Sequence, residues 1–210
     1  VGVTSLWLWF SAIAQLPLAT AVTLNYMSPI WTAVLLLVAG WWSRRRQVAW
    51  PLAAAILVSF AGVVLVLQPA LAARQWVGAA MALGSGVLAA IAYLLVRRLS
   101  RMGEPEYRVV FYFSLVNVMA GLAGCIGSGG WHTHSWSGAA LLLAIGVSGT
   151  AGQLALTRAW RTGTTLVVAN LQYTGVVFAS GFGIVLWGDR FDWPVWLGMA
   201  VILCSGSAAT

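Results

Sequence analysis

The chain has 210 residues, of which 61% are hydrophobic and only 7% charged, with a formal net charge of +7. Charge is confined to short gaps between apolar runs, several of them near the roughly 20 residues that cross about 30 Å of hydrocarbon, which excludes an ordinary soluble core. The runs lack the in–out alternation of barrel strands, so the backbone must satisfy itself as helices. The expected fold class is therefore all-α, a polytopic transmembrane helix bundle.

Eight spans are predicted, at 1–14, 19–42, 47–67, 76–96, 107–127, 138–157, 165–187 and 194–208. The first is only about 14 residues long, short of a crossing, and Val1 is not an initiator Met. No basic segment leads into a cleavage site, so signal and transit peptides do not fit. We read the chain as a fragment, or a mature chain, with further spans upstream.

The second span carries Asn25 and Tyr26 shortly before Pro29, and Trp31 well inside it. The fourth carries Gly78, Ala82, Gly86 and Ala90 at every fourth position, together with Tyr93. The sixth repeats that spacing with Ala140, Ala144, Ser148 and Gly152, and the seventh with Gly175, Ala179 and Gly183. Lipid gives helices little hydrophobic reason to associate, so small residues that admit close backbone contact are expected to be packing faces. Most Trp residues, among them Trp50, Trp76, Trp136 and Trp193, lie near span ends and read as headgroup anchors.

Orientation follows from the basic residues, all of them Arg. Arg44, Arg45, Arg46, Arg97, Arg98, Arg101, Arg108, Arg158 and Arg161 fall in the gaps after the second, fourth and sixth spans, against Arg74 and Arg190 in the others. Basic loops stay in the cytoplasm, which places both ends of this chain there. The positive charge is thus a topology signal, with some contact to anionic lipid, and needs no nucleic acid.

No catalytic or metal constellation is visible. Glu104, Glu106, Asp189 and Asp192 all lie in gaps, and the H-x-H of His132 and His134 offers two ligands where zinc wants three or four. Cys125 and Cys204 sit near opposite ends of their helices, which argues against a bridge. We expect no cofactor, no metal and no enzyme activity. What the bilayer does hold is neutral polar side chains: Gln15, Asn25, Tyr26, Tyr93, Asn117, Gln153, Asn170, Gln172 and Tyr173. Such groups face the protein interior, where they either join helices or line a polar passage.

Their clustering favours a passage. Asn170, Gln172 and Tyr173 precede Gly175 in the seventh span as Asn25 and Tyr26 precede Pro29 in the second. Pro and Gly disturb a helix and free backbone groups where a cavity can use them. Aligning Pro29 with Gly175 also brings Ala33 onto Ala179, Trp41 onto Trp187 and Arg44 onto Arg190, and a two-residue adjustment then lays Gly62 on Gly206. The two segments run in opposite directions across the membrane, the arrangement of inverted-repeat transporters.

Here the residues resemble a family. Ala12-Ile13-Ala14-Gln15-Leu16-Pro17-Leu18-Ala19-Thr20-Ala21 followed by Tyr26-Met27-Ser28-Pro29-Ile30 looks like the third-to-fourth helix passage of the drug/metabolite transporter (DMT) superfamily, EamA-like branch. Gly188-Asp189-Arg190 sits where that family has Gly-Glu-Arg or Gly-Glu-Lys, before a Gly-containing last helix from Gly198 to Gly206. The segment from Gly78 to Arg98 is similar to its sixth helix. Gly175 replaces the usual Pro of the ninth helix, and Asp189 replaces Glu.

The resemblance implies ten helices in two inverted repeats, of which about eight are present. Residues 1–67 would be the C-terminal part of the first repeat and 76–208 the second. It implies a multi-pass transporter of the bacterial inner membrane that moves a small organic metabolite or drug-like solute by alternating access. Its partners would be the solute and the lipid bilayer, and a homo-oligomer is compatible with it. The expected cavity lining is Asn25, Tyr26, Trp31, Tyr93, Gln153, Asn170, Gln172 and Tyr173, with helix breaks at Pro29 and Gly175. The readings from other classes are a non-transporting membrane scaffold and, less favoured, an intramembrane enzyme.

Overall fold

A computed structural model describes residues 1–42, 50–68, 75–127, 135–188 and 190–208. Among the described residues all regular structure is helical. In chain order the helices are α1 (Gly2–Ile13), α2 (Leu18–Asn25), α3 (Ser28–Trp42), α4 (Trp50–Leu67), α5 (Trp76–Arg101), α6 (Glu106–Gly127), α7 (Trp136–Thr162), α8 (Thr165–Leu171), α9 (Thr174–Phe182) and α10 (Trp193–Ala208). A π-type turn, Gly183–Trp187, extends α9. Among the described residues five segments are long and apolar enough to cross a membrane: Thr20–Gly40, Trp76–Arg101, Glu106–Gly127, Trp136–Thr162 and Thr165–Val185. Shorter apolar helical stretches, Gly2–Ile13, Ala53–Leu67 and Trp193–Ser205, occupy the other three places. Arg44, Arg45, Arg46, Arg74, Trp131, His132, His134 and Asp189 lie outside the described residues.

Two span limits move. The fourth runs on from Val96 to Arg101 and the sixth from Thr157 to Thr162, so Arg97, Arg98, Arg101, Arg158 and Arg161 ride on helix rather than in loops. Arg is a good helix former, and basic side chains favour the negative end of the helix dipole. The long helix α5 is closed by Gly103, whose φ of +90° is a left-handed conformation that only glycine adopts without strain.

The chain divides into two compact units, one of residues 1–94 with 164–210, the other of residues 95–163. In the first, α4 and α10 cross antiparallel with glycine against glycine. A Cβ on Gly62 would lie 2.8 Å from the Gly198 carbonyl oxygen, and one on Gly198 would lie 2.6 Å from that of Gly62. Two turns away Ser205 Oγ donates to the Ala55 carbonyl at 2.7 Å. Ile56, Val63, Met199 and Ile202 are buried on these two helices. Contact this close gathers dispersion energy that lipid could not replace.

The small-residue face of α5 packs as expected: Gly78, Ala82, Gly86 and Ala90 are all buried, with Ala82 in a core cluster with Ala12, Leu16 and Ala21. A Cβ on Gly78 would press within 2.9 Å of Leu16. The corresponding expectation for the sixth span is corrected, because among the described residues Ala140, Ala144, Ser148 and Gly152 are exposed along α7 and a Cβ on Gly146, Gly149 or Gly152 would meet no neighbouring group within 4 Å. Small-residue spacing marks a helix that can be approached closely, and it cannot say that a neighbour is there. The third face is split, with Gly183 buried, Gly175 half-buried and Ala179 exposed.

In the second unit α6 and α7 pair. Glu106 at the start of α6 binds Arg161 near the end of α7 at 2.7 Å, so the helices run antiparallel. Glu104 holds Arg108 at 2.8 Å one turn along. Ser135 caps α7 by accepting from the Gly138 amide at 3.2 Å.

Candidate functional site

Two spans of the first unit are interrupted at the same relative place. Helix α2 stops at Asn25 and α3 resumes at Ser28, leaving Tyr26 and Met27 in a turn; α8 stops at Leu171 and α9 resumes at Thr174, leaving Gln172 and Tyr173 in a turn. In both the backbone tightens to three-residue bonds, Met27 to Leu24 at 3.3 Å and Tyr173 to Asn170 at 3.1 Å. Pro29 has no N–H, so the Asn25 carbonyl lacks its ordinary helical donor. Gly175 stands at the matching position without that defect; there the interruption extends further, with Gly175 bonding to Gln172 at 3.1 Å and Val176 to Tyr173 at 3.0 Å.

The first interruption is wedged against α5. A Cβ on Gly86 would lie 3.2 Å from the Asn25 carbonyl oxygen and 3.4 Å from that of Leu24, so glycine is what lets α5 reach this exposed backbone. Asn25 Nδ2 donates to Ser85 Oγ at 2.8 Å, Ser85 Oγ donates to the Ala82 carbonyl at 2.7 Å, and Ser5 Oγ donates to the Ser85 carbonyl at 2.7 Å. The network joins α1, α2 and α5, and its amide and hydroxyl donors are engaged.

The second interruption is built otherwise. Tyr173 is 0% exposed and Asn170 1%, yet the Tyr173 hydroxyl, Asn170 Oδ1 and Gln172 Nε2 have no hydrogen-bond partner among the described residues. Asn170 spends its Nδ2 on the Ser205 carbonyl at 3.3 Å, one end of the α4–α10 seam. The Tyr173 ring lies between Tyr26, with centroids 6.1 Å apart, and Phe60, 6.4 Å away. Gly175 admits Tyr26, since a Cβ there would stand 3.0 Å from the Tyr26 hydroxyl. Next to Phe60, Ser59 is fully buried with its Oγ unpartnered, as is Trp31 Nε1 on α3. A buried polar group left unpaired in a dry interior is unfavourable by about 1–3 kcal/mol, so several near one helix interruption call for an explanation.

The eight expected lining residues thus separate. Tyr26 and Tyr173 meet, and Tyr93 is near enough to Tyr26 for the two hydroxyls to interact electrostatically. Asn170 lies near the end of α8, three residues before Tyr173, Gln172 flanks Tyr173, and Trp31 lies one turn beyond the first interruption. Asn25 is committed to Ser85. Gln153 is half-buried on α7, in the second unit, so the site as described does not include it. Sequence reading missed Ser59, Phe60, Ser85 and Ser205, because a lone Ser or Phe in an apolar span carries no periodic signal. Among the described residues no group of three or more His, Cys, Asp or Glu side chains could hold a metal.

A stack of apolar helices, two of them interrupted and carrying uncharged polar groups at the interruption, defines a polytopic α-helical membrane protein. The chain belongs to the EamA-like transporter family, whose model matches residues 76–207. It is 33% identical over 201 residues to the pseudopaline exporter CntI of Pseudomonas aeruginosa PAO1, covering 91% of this chain and 66% of that protein. It is 31% identical over 214 residues to an uncharacterized transporter of Helicobacter pylori J99, covering 98% of this chain and 69% of that one. A crystal structure at 20% identity superposes with a TM-score of 0.81 over 100% of this chain and 73% of its own, a likeness of fold. The chain therefore spans just under two thirds of the length of the exporter it matches.

Proposed function

We propose that the protein carries a small organic metabolite or drug-like solute across the bacterial inner membrane by alternating access, with the solute held between the two helix interruptions. The observation that carries this reading is the group of unpartnered, uncharged polar atoms on Asn170, Gln172 and Tyr173, backed by Ser59 and Trp31. These groups would exchange hydrogen bonds with water or solute as the site opens. With no carboxylate or Arg among them, the lining suits a neutral, zwitterionic or aromatic solute. The name of the Pseudomonas relative favours export as the direction.

The inverted repeat, of which 1–67 and 76–208 would be the parts, is supported by the paired interruptions and by the α4–α10 seam. The shift that lays Trp50-Pro51 on Trp193-Pro194 lays Ala55 on Gly198 and Gly62 on Ser205. The Gly62–Gly198 and Ala55–Ser205 contacts are then images of each other, as a pseudo-two-fold axis across antiparallel helices requires. This register is one residue from the pairing of Gly62 with Gly206 read from sequence. At Asn25 the scaffold reading is the better one, since its amide joins helices.

The test is solute flux by the full-length protein in liposomes, normalised to folded protein. Asn170→Leu and Gln172→Leu should fold and lose most of the flux; unchanged flux in both would move the site elsewhere. Cytoplasmic ends are tested separately: in sealed cells Ser137→Cys should react with an impermeant thiol reagent and Arg98→Cys should be shielded. The reverse pattern inverts the topology.

A further inference from the structure

The C-terminal end of α5 carries three guanidinium groups, Arg97 just before the last turn and Arg98 and Arg101 within it, and among the described residues none of them is in an ion pair. The nearby acids are already taken: Glu104 binds Arg108, while Glu106 binds Arg161 and feels Arg158. Arg97 and Arg101 are one helical turn apart on one face, close enough to act on each other electrostatically. Most telling is Arg97 Nη1, which is shut off from solvent and has no acceptor among the described residues. A desolvated guanidinium N–H without an anion is among the less favourable groups a protein can hold.

The helix itself shows where that anion would come from. At 26 residues α5 is about 39 Å long, longer than a hydrocarbon core of about 30 Å, so its last turns reach headgroup level. The apolar run ends at Val96, and Arg97 is the first charge after it. Leu95, one helical turn before Arg98 on the same face, is exposed, which gives an acyl chain an apolar surface next to the charged residues.

We propose that the C-terminal turn of α5 binds the phosphodiester headgroup of an anionic membrane lipid, with Arg97 as principal ligand and Arg101 and Arg98 supplying the positive field. The planar fork of Arg97 matches two phosphate oxygens, and three neighbouring positive charges favour a lipid of net negative charge over a zwitterionic one.

The experiment measures the thermal unfolding of the full-length protein in detergent, titrated with phosphatidylglycerol, with phosphatidylcholine or with inorganic phosphate. Phosphatidylglycerol should raise Tm saturably while the other two do not. Arg97→Gln should raise the phosphatidylglycerol concentration required by about tenfold, since a charge-assisted bidentate contact is lost. Arg97→Lys should fall between, having the charge without the fork, and Arg98→Gln, which loses part of the field but no ligand, should raise that concentration less than Arg97→Gln does. Equal shifts with phosphatidylcholine, an unchanged titration for both Arg97 variants, or a shift reproduced by inorganic phosphate would each overturn the assignment, the last by making the ligand a free anion. Should Arg97→Gln fail to fold, the titration of Arg97→Lys decides alone.

Discussion

The interruptions at Tyr26–Met27 and at Gln172–Tyr173 have the same backbone form and opposite polar chemistry. At the first, Pro29 exposes a carbonyl, Gly86 lets α5 close on it, and Asn25 is tied through Ser85 to two further helices. At the second there is no Pro, and Asn170, Gln172 and Tyr173 each keep a polar atom without a partner among the described residues. One interruption is thus clamped while the other, among the described residues, retains unused hydrogen-bonding capacity. Under the alternating-access function proposed above, both are needed: a fixed side to move against, and a side whose polar groups can be satisfied by something that leaves.

The comparison breaks most visibly at the glycines. Gly86→Val should destabilise the folded protein by about 1–3 kcal/mol, because its Cβ meets the rigid backbone of the first interruption. Gly175→Ala meets only the far end of the Tyr26 side chain, so it should fold and instead alter flux. Melting both variants side by side decides the matter; equal destabilisation would mean the two interruptions are equally clamped.

A smaller effect sharpens the second half. Tyr173→Phe removes a buried hydroxyl that has no partner among the described residues and should stabilise the protein by about 1 kcal/mol while lowering flux per folded molecule. Loss of stability on that change would show the hydroxyl to be satisfied within the protein.

The smallest effect belongs to the first half. Asn25→Leu gives up the bond to Ser85 and should lose about 0.6 kcal/mol, the usual size of such a link inside a membrane, with flux per folded molecule unchanged. A large flux loss at constant stability would return Asn25 to the solute path.

Sequence by itself determined that the chain is helical and membrane-embedded, roughly where the spans lie, and that helices are disturbed near Pro29 and Gly175, since long apolar runs, scarce charge and helix-disturbing residues act locally. It also found the residues of the second interruption, because Asn, Gln and Tyr are conspicuous in a span. It could not tell a satisfied polar group from an unsatisfied one: Asn25 and Asn170 read alike until Ser85 and Ser205, far away in the chain, each accept from the side-chain amide, while Asn170 Oδ1 stays buried without a partner among the described residues. Nor could it tell a packed small-residue face from an open one, α5 from α7, because burial belongs to a pair of helices while spacing belongs to one. Only the tertiary structure brings Tyr26 to Tyr173 and Gly62 to Gly198, contacts between residues more than a hundred positions apart that no local pattern encodes.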